Sequence, residues 1–199
     1  MKLVLATQNK DKIKEIKNFL SDLKIRILTL DNFRYNLPLK ETGQTLEENA
    51  LLKAKAIYKL TKLPTLADDS GLEVAYLNGK PGVRSSRFAG EKATYLDNNL
   101  KLLRLLKNVP SQKRKARFRC VMALMLDEKK AKLLEGKISG FIATELKGEK
   151  GFGYDPLFFI PKLKKTFAQL SIKQKNGISH RAQALQMVKK YLENLLQNK

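Results

Sequence analysis

The chain has very little cysteine, no tryptophan and no long hydrophobic run. Its single cysteine, Cys120, excludes an internal disulfide, and the apolar residues around it predict a buried structural thiol rather than a nucleophile. No apolar run approaches the length of a membrane span. The N-terminal segment becomes polar soon after residues 2–7, so we expect no secretory signal and a cytoplasmic location.

Negative charge is also scarce, with 19 Asp and Glu against 40 Lys and Arg, which gives a formal net charge of +21. Such an excess would suit a protein that binds nucleic acid through its phosphates. The basic residues are spread along the whole chain, however, and the densest cluster, at 113–117, lacks the interleaved aromatic residues that stack on bases. We therefore expect a lysine-rich solvated surface, compatible with anionic substrates, and no specific nucleic-acid partner.

Length and composition predict one folded α/β domain. The 199 residues are 43% hydrophobic, enough for a substantial core, and we expect a single domain over residues 1–199 or two closely joined lobes. Early in the chain, strand patterns at 2–7 and 25–30 alternate with helix patterns. Strand patterns then cluster, with a hairpin inside 114–139 and a strand at 157–160. This order predicts a mixed sheet.

The later helices can be placed by their start signals. Thr45 and Glu48 form a Thr-x-x-Glu capping box ahead of apolar residues at helical spacing, and Thr94 and Asp97 form a similar start. The last helix is predicted to begin near Ser179. Its inward-facing residues are predicted to be Leu185, Val188, Leu192 and Leu195.

Two adjacent carboxylates, Asp68 and Asp69, follow the apolar segment 63–66, which is typical of a short buried strand. Carboxylates this close at a strand end repel each other unless a cation or a proton relieves the repulsion. Mg²⁺ is commonly held by one or two carboxylates together with substrate phosphates. Considered alone, Asp, Ser and Gly in the run 68–71 favour an ordinary turn, and a magnesium site at the paired carboxylates is the alternative that the rest of the sequence favours.

The segment from Thr7 to Lys12 is a candidate phosphate-binding loop. It joins a strand to a helix start, where backbone N–H groups and the helix dipole favour an anion. Asn9 is placed to cap the helix, and Lys10 and Lys12 add positive charge. The glycines of a Walker loop are missing, so this signal alone is weak evidence.

Two charged positions near the second helix are further candidates. Glu41 lies just ahead of the capping box, and the acidic residues of the segment 40–49 are candidates to complete a metal site with Asp68 and Asp69, although stabilisation of the helix start alone would explain Glu48. Lys53 lies further along the same helix. Among 40 basic residues it would by itself be assigned to the solvated surface.

Two segments in the second half of the chain offer groups for a nucleotide base. In the Gly-Phe-Gly-Tyr-Asp-Pro run at 151–156, the glycines permit close backbone approach, and Phe152 and Tyr154 offer flat aromatic faces. A plain turn before the next strand would explain the same run. His180, the only histidine, and Arg181 stand at the start of the last helix, where they are placed to recognise a polar or anionic ligand unless they are structural.

Together these segments resemble the noncanonical purine nucleoside triphosphate pyrophosphatases, the inosine triphosphatase family of nucleotide-pool enzymes. Six motifs occur in the family's order across nearly the whole chain, a far more specific match than any one motif alone. The motifs are Leu5-Ala6-Thr7-x-Asn9, Glu41-Thr42-Gly43-x-Thr45-x-x-Glu48-Asn49-Ala50, Ala67-Asp68-Asp69-Ser70-Gly71-Leu72, Pro81-Gly82-Val83-x-Ser85-x-Arg87, Gly151-Phe152-Gly153-Tyr154-Asp155-Pro156 and Ile178-Ser179-His180-Arg181.

The resemblance implies a two-lobed α/β fold with a long central mixed sheet flanked by helices, an active-site cleft between the lobes and a homodimer. It also implies Mg²⁺-dependent cleavage of ITP, dITP or XTP to the monophosphate and pyrophosphate. Asp69 would be the general base that activates water for attack on the α-phosphorus, and Glu41, Asp68 and Asp69 would form the metal site. The implied substrate-binding residues are Thr7, Gln8, Asn9, Lys10, Asp11, Lys12, Lys53, Ser70, Phe152, Gly153, Tyr154, Asp155, Lys175, His180 and Arg181.

In this scheme the 7–12 loop and Lys53 face the triphosphate, and the residues from Phe152 onward surround the purine. A donor such as Arg181 or protonated His180 would pair with a purine 6-oxo group. The amino group of ATP would leave that donor unpaired, and stranding a buried donor can discriminate strongly between substrates.

Two departures from the family pattern bear on rate and metal affinity. The approach to the Phe-Gly-Tyr-Asp run at 148–151 is Gly-Glu-Lys-Gly rather than glycine-rich, and Lys40 stands beside Glu41 where relatives often carry an acidic residue. Two rival functions stay open from the sequence. One is a nonenzymatic nucleic-acid-binding protein, suggested by the charge, and the other is a pyrophosphatase that prefers pyrimidine or modified-base nucleotides.

Overall fold

The computed structural model describes residues 1–33 and 41–197. Lys40, one of the two departures from the family pattern, lies outside the described residues. The α-helices within these ranges are α1 Lys10–Phe19, α2 Leu46–Thr61, α3 Tyr95–Leu105, α4 Ile172–Ile178 and α5 His180–Gln197. The strands are β1 Lys2–Leu5, β2 Arg26–Leu28, β3 Thr65–Val74, β4 Pro81–Gly82, β5 Lys115–Met125, β6 Ala131–Ile142, β7 Phe158–Ile160 and β8 Lys165–Thr166.

The eight strands form one sheet in the order β2-β1-β3-β5-β6-β7-β8, with β4 paired to β3. β1 pairs in parallel with β2 and β3, whereas β4 pairs antiparallel with β3, β7 with β6, and β8 with β7. Parallel neighbours need a crossover, which α1 and α2 supply, while the later strands can follow one another through short turns. The predicted α/β class with a central mixed sheet flanked by helices is confirmed.

The predicted helix starts are also confirmed. α2 begins after Thr45, whose hydroxyl accepts the N–H of Glu48 at 3.1 Å, while the Glu48 carboxylate accepts the N–H of Thr45. α3 begins after Thr94 with the same reciprocal pair to Asp97. The last helix begins at His180, one residue from the predicted start. These starts depend only on local sequence, since the capping residues satisfy N–H groups that have no partner inside the helix.

β3 shows that the predicted strand end before the carboxylates is wrong. The strand does not stop at residue 66 but runs from Thr65 to Val74, so Asp68 and Asp69 lie in its middle and no Asp-Ser-Gly turn forms there. β1 pairs only with the first two residues of β3, and β4 pairs near its other end. The strand continues because other neighbours in the sheet keep its backbone groups hydrogen-bonded after β1 ends.

The described residues divide into two compact units, each with its own core. Unit 1 comprises the described residues of Met1–Asp69, Cys120–Gly136 and Arg181–Lys199, and unit 2 comprises Ser70–Arg119 and Lys137–His180. In unit 1, α1 and α5 pack on residues of β1, β3 and β5; in unit 2, α3 packs with aromatic residues of β5, β7 and the following segment. The core residues include Leu3, Leu5, Ile16, Leu66, Cys120, Met122 and Val188 in unit 1, and Leu72, Leu102, Phe118, Tyr154, Phe158 and Phe167 in unit 2.

The thiol of Cys120 is fully buried in the core of unit 1, as predicted. The single domain predicted over residues 1–199 stays a prediction. Within residues 1–33 and 41–197, no helix combines the length and the hydrophobicity that a bilayer span requires.

Candidate active site

The two adjacent carboxylates point to opposite faces of the sheet in unit 1. Successive side chains of a strand alternate between faces, so Asp68 shares the face of Leu66, which packs in the core with α1 and α5. Asp69 therefore points the other way, and its contacts are with α2. The repulsion that the sequence predicts between neighbouring carboxylates is relieved by cations on both faces, with Lys53 in contact with Asp69 and Lys12 in contact with Asp68.

Asp69 is held by two side chains of α2. Its Oδ1 accepts a hydrogen bond from Nζ of Lys53 at 2.9 Å, and its Oδ2 accepts one from Nδ2 of Asn49 at 3.2 Å. Burial raises the pKa of Asp69 above its ordinary value; Lys53 opposes this shift, and the nearby charge of Glu41 adds to it. A carboxylate with a raised pKa is better suited to accept a proton near neutral pH, which is the property that the predicted role of Asp69 as general base requires.

Lys53 connects the two carboxylates that the sequence singles out on this face. Its Nζ lies 2.9 Å from Oε1 of Glu41 and 2.9 Å from Oδ1 of Asp69, so those oxygens are less than twice that distance apart. Burial on its own lowers the pKa of Lys53, but the charges of Asp69, Asp68 and Glu41 outweigh it and raise the pKa. Lys53 is only 4% exposed and is therefore not one of the many surface lysines.

The donor set of this face fits a divalent cation shared with a nucleotide. Glu41 and Asp69 are hard oxygen ligands gathered around one ammonium group, and Mg²⁺ commonly takes one or two carboxylates and completes its shell with phosphates and water. Across residues 1–33 and 41–197, no group of three or more His, Cys, Asp or Glu side chains is placed to hold a metal ion. A site built from two carboxylates and the substrate fits this arrangement better than an all-protein cage.

On the opposite face of β3, Asp68 lies close to two cationic side chains, those of Lys12 and Arg181. Nζ of Lys12 lies 2.8 Å from its Oδ2, and Nε of Arg181 lies 3.9 Å from the same oxygen. Burial alone would raise the pKa of Asp68, but Lys12, Arg181 and Lys53 together hold it well below its ordinary value. Asp68 is thus an ionised anchor that positions Lys12 and Arg181.

Arg181 is almost completely buried, and its guanidinium donates to Oε2 of Glu15 on α1. Burial lowers the pKa of Arg181, but Glu15 and Asp68 raise it by more. The sequence groups Arg181 with the residues that surround the purine. In unit 1, Glu15 and Asp68 are among its ion-pair partners.

The 7–12 loop differs from the predicted phosphate-binding loop in which backbone N–H groups it leaves for a phosphate. Asn9 caps α1 as predicted, but its Oδ1 takes the N–H groups of Asp11 and Lys12, at 3.0 and 3.1 Å. Those two helix N–H groups are therefore already satisfied by the protein. Thr7 is buried, whereas Gln8 and Lys10 are exposed, so a phosphate would meet side-chain donors and the remaining backbone N–H groups.

In unit 2 the Gly-Phe-Gly-Tyr-Asp run folds tightly around a buried carboxylate. Oδ2 of Asp155 accepts the N–H of Phe152 at 2.9 Å and Nζ of Lys175, on α4, at 2.6 Å. Gly151 has φ +78, and a Cβ there would lie 2.0 Å from Oδ2 of Asp155, so only glycine fits this position. Lys175 also lies over the ring of Phe152, 4.9 Å from its centroid.

The predicted aromatic faces have different surroundings. Phe152 is half-buried, and its ring lies 6.0 Å from that of Tyr95 at the start of α3. Tyr154 is buried in the core of unit 2, where its hydroxyl donates to the carbonyl of Ser85 at 2.9 Å, and burial raises its pKa. Phe152 is thus the aromatic residue of this run that offers a partly exposed surface.

His180 lies in the aromatic core of unit 2. Its ring stacks on Phe118 with centroids 4.6 Å apart and planes 8° from parallel, and it is only 4% exposed. Ser70, the remaining predicted contact, is half-buried and follows Asp69 in β3. The structural role that the sequence leaves open for His180 is therefore supported by its packing.

Two asparagines that support these groups are missing from the sequence-based candidates. Asn49 binds Asp69, and Asn99 on α3 donates from Nδ2 to the carbonyl of Gly153 at 2.8 Å. Asn49 falls on the same helical stripe as the buried residues Ala50, Lys53 and Ala54. A polar residue on the apolar stripe of an amphipathic helix was the signal that could have revealed it.

Comparison with known proteins gives a consistent result over the whole chain. The chain matches the model of the Ham1 family over residues 3–191. It is 48% identical over 199 residues to a dITP/XTP pyrophosphatase of Thermoanaerobacter pseudethanolicus, covering 100% of both chains. Among solved structures, a HAM1 protein from Coxiella burnetii superposes with a TM-score of 0.90 at 43% identity, covering 98% of this chain and 99% of that chain. The Ham1 protein of Staphylococcus aureus superposes with a TM-score of 0.87 at 42% identity, also covering 98% of this chain and 99% of that chain.

Proposed function

The chain belongs to the Ham1 family, and on that premise we propose that it is a hydrolase that cleaves ITP, dITP and XTP to the monophosphate and pyrophosphate. The resemblance drawn from the six sequence motifs is confirmed by this membership and by curated relatives about as long as the chain. Those relatives are named dITP/XTP pyrophosphatases. The proposed role is removal of noncanonical purine nucleotides from the precursor pool.

The observation that carries the proposal is the buried Asp69 between Lys53 and Asn49. Asp69 is the proposed general base: it takes a proton from the water that attacks the α-phosphorus. The α–β bond then breaks, and pyrophosphate leaves. Lys53 supplies a fixed positive charge beside the reacting phosphates, and such charges are most effective when they are preorganised and desolvated.

Mg²⁺ is the proposed cofactor. Glu41 and Asp69 would hold it, with Asp68 contributing negative charge from the opposite face of β3. When bound, the ion neutralises the triphosphate and orients it. The chain's part is to hold these carboxylates close together, which Lys53 does by pairing with both.

The proposed triphosphate contacts are the loop Thr7–Lys12 and Lys53. Ser70, which follows the proposed general base Asp69 in the chain, is a further proposed substrate contact. Lys12 is held by Asp68 and is only partly exposed, so its direction is fixed before a nucleotide binds. A fixed cation loses less conformational entropy on binding than a freely moving one.

For the purine we propose Phe152 as the stacking surface. Asp155 and Lys175 form a buried ion pair, and Asp155 also accepts the backbone N–H of Phe152. Gly153, Tyr154, His180 and Arg181 complete the proposed set, with His180 and Arg181 as donors to the 6-oxo group. Rejection of ATP would follow from the mismatch between these donors and its 6-amino group.

A substrate panel tests the function. The purified protein is given ITP, dITP, XTP, ATP and pyrimidine triphosphates with and without Mg²⁺, and phosphate and pyrophosphate are measured separately. We expect pyrophosphate and monophosphate from the 6-oxo purines, and neither product after chelation of the metal. Inosine diphosphate and orthophosphate as first products would overturn the assigned site of attack. A preference for pyrimidine nucleotides would overturn the assigned base recognition.

A homodimer and a cytoplasmic location complete the proposal. The homodimer follows from the family resemblance, and the cytoplasmic location from the N-terminal segment, which becomes polar too soon for a secretory signal. Sedimentation equilibrium of the purified protein tests the dimer, and cell fractionation tests the location.

A further inference from the structure

We propose that Asn49 is a positioning residue that couples the Glu41 loop to the carboxylate of Asp69. The inference rests on the proposed function, because it assigns Asp69 as the base whose position matters. Asn49 lies on α2 and is 0% exposed. Both ends of its amide are hydrogen-bonded, and they bind two different parts of the site.

The two partners of Asn49 fix the orientation of its amide. Its Oδ1 accepts the N–H of Gly43 at 2.8 Å, and its Nδ2 donates to Oδ2 of Asp69 at 3.2 Å. A backbone N–H can only donate and a carboxylate can only accept. If the amide of Asn49 were flipped, its NH₂ group would face the N–H of Gly43 and its oxygen would face the carboxylate of Asp69, and neither hydrogen bond would form. An amide is therefore the side-chain type that satisfies both partners at this place.

Gly43 shows how closely the loop approaches this side chain. A Cβ on Gly43 would lie 2.8 Å from Oδ1 of Asn49 and 2.7 Å from Cβ of Glu48, closer than side-chain carbons normally come. Glu41 is two residues before Gly43, so the hydrogen bond from Gly43 anchors the segment that carries Glu41. The side chain of Asn49 thus connects α2 both to the loop that carries Glu41 and to the carboxylate of Asp69.

The bond to Asn49 also fixes the rotation of the Asp69 carboxylate. Oδ1 is bound to Lys53 and Oδ2 to Asn49, so two separate donors determine the plane of the group. The direction of the lone pairs that would accept the proton from water follows from that plane. A reacting group displaced by about 1 Å commonly costs on the order of 10²-fold in rate.

The selective variant is Asn49→Asp. It keeps an oxygen to accept the Gly43 N–H but replaces the donor to Asp69 with an acceptor. The matched control is Asn98→Asp on α3, because Asn98 is also buried and its amide likewise joins a backbone N–H to an acceptor: Oδ1 accepts the N–H of Ala89 at 2.7 Å, and Nδ2 donates to the carbonyl of Ser86 at 3.0 Å.

Steady-state kinetics on ITP and calorimetric binding of α,β-imido-ITP with Mg²⁺, in which the bond that would be cleaved is blocked, separate the possible roles. For Asn49→Asp we expect kcat to fall about 10²-fold while the KM for ITP and the Kd of the analogue change by less than about threefold. For Asn98→Asp we expect a comparable loss of thermal stability with kcat within about threefold of the wild type.

Several outcomes would overturn the proposal. They are an unchanged kcat in Asn49→Asp, an equal kcat loss in the Asn98 control, or a rise in analogue Kd as large as the loss in kcat/KM, which would make Asn49 a substrate-binding residue. If Asn49→Asp does not fold, Gly43→Ala carries the test, since its added Cβ presses on Oδ1 of Asn49; an unchanged kcat there also rejects the coupling. Failure of the proposed function would appear differently, as a wild-type protein that releases no pyrophosphate.

Discussion

At the scale of single residues, Lys53 determines the electrostatics of the candidate site. A buried ammonium is costly unless carboxylates surround it, and Glu41 and Asp69 both lie within 2.9 Å of its Nζ. The raised pKa of Lys53 means that it stays charged throughout the neutral range. It therefore keeps two neighbouring carboxylates together before any nucleotide or metal arrives.

The first residue-scale prediction concerns Asp69. Asp69→Asn removes the proposed base but keeps the size of the side chain, so we expect kcat on ITP to fall about 10²–10⁴-fold in a folded protein. Asp127→Asn is the control, because Asp127 accepts the backbone N–H groups of Lys129 and Lys130 in the β5–β6 turn, and an asparagine oxygen accepts them as well. Circular dichroism establishes folding. A folded Asp69→Asn protein with near-normal turnover would remove Asp69 from the mechanism.

The second prediction concerns Arg181. Arg181→Ala takes one cation from the buried Asp68 and leaves Lys12 as its close partner, so we expect a loss of about 3 kcal/mol in the free energy of unfolding. If Arg181 also donates to the purine 6-oxo group, kcat/KM should fall far more for ITP than for ATP. The Mg²⁺ dependence should stay unchanged.

Urea unfolding and kcat/KM for both nucleotides check the Arg181 prediction. Arg117→Ala serves as the control, since it removes an arginine paired with Glu73 on a more exposed part of unit 2. An equal fall for ITP and ATP would assign Arg181 to the phosphates or to the fold and place base selection on other residues.

At the scale of elements, α3 supports the loop that carries Phe152. Asn99 of α3 donates to the carbonyls of Gly153 and Tyr95, at 2.8 and 2.9 Å. Leu106 is the C-cap residue of α3, and its carbonyl accepts a hydrogen bond from the buried Arg114 at 2.6 Å. With its C-terminal end hydrogen-bonded to Arg114 and Asn99 bonded to the loop at Gly153, α3 holds the loop that carries Phe152 in place.

The element-scale prediction tests the start of α3. The hydrogen bond from the Thr94 side chain lowers the pKa of Asp97 below its ordinary value. A carboxyl group with a lower pKa in the folded than in the unfolded state contributes stability that is complete above the unfolded pKa and is lost as the pH falls through the folded one. Asp97→Ala should therefore lower the urea midpoint equally between about pH 5 and pH 7, and by less near pH 3.

Urea titrations of the wild type and Asp97→Ala at these pH values measure the effect. Glu91→Ala, at an exposed residue outside the helix, is the control and should show little change at any pH. A difference between wild type and Asp97→Ala that grew on acidification would contradict the capping role.

At the scale of the whole molecule, the net charge of +21 is the dominant feature. A strongly positive protein attracts anionic nucleotides over distances of several ångströms, and added salt screens this attraction. The buried pairs of the candidate site are screened much less. Encounter with substrate and chemistry at the site should therefore respond differently to ionic strength.

The whole-molecule prediction follows from that difference. Between about 0.05 M and about 0.5 M salt, we expect kcat/KM for ITP to fall by about tenfold while kcat stays nearly constant. Binding of a single-stranded oligonucleotide, followed by fluorescence anisotropy, should be weak and disappear over the same range. Tight, salt-resistant oligonucleotide binding would instead favour the nucleic-acid-binding alternative.

The sequence by itself determined the features that depend on near neighbours in the chain. The capping pairs Thr45–Glu48 and Thr94–Asp97, the Asn9 cap and the β5–β6 hairpin were predictable because each is a contact between residues a few positions apart. The strand and helix order, and with it the mixed sheet, followed from hydrophobic periodicity. Family membership followed from ordered motifs spread over nearly the whole chain.

Only the tertiary structure decided how the charges pair. Asp68 and Asp69 are adjacent in sequence but lie on opposite faces of β3, because the strand continues beyond the point where local pattern placed its end. Arg181 meets Glu15 across 166 positions of sequence. No local pattern encodes such a contact; it arises when helices pack on a sheet and buried charges must find partners.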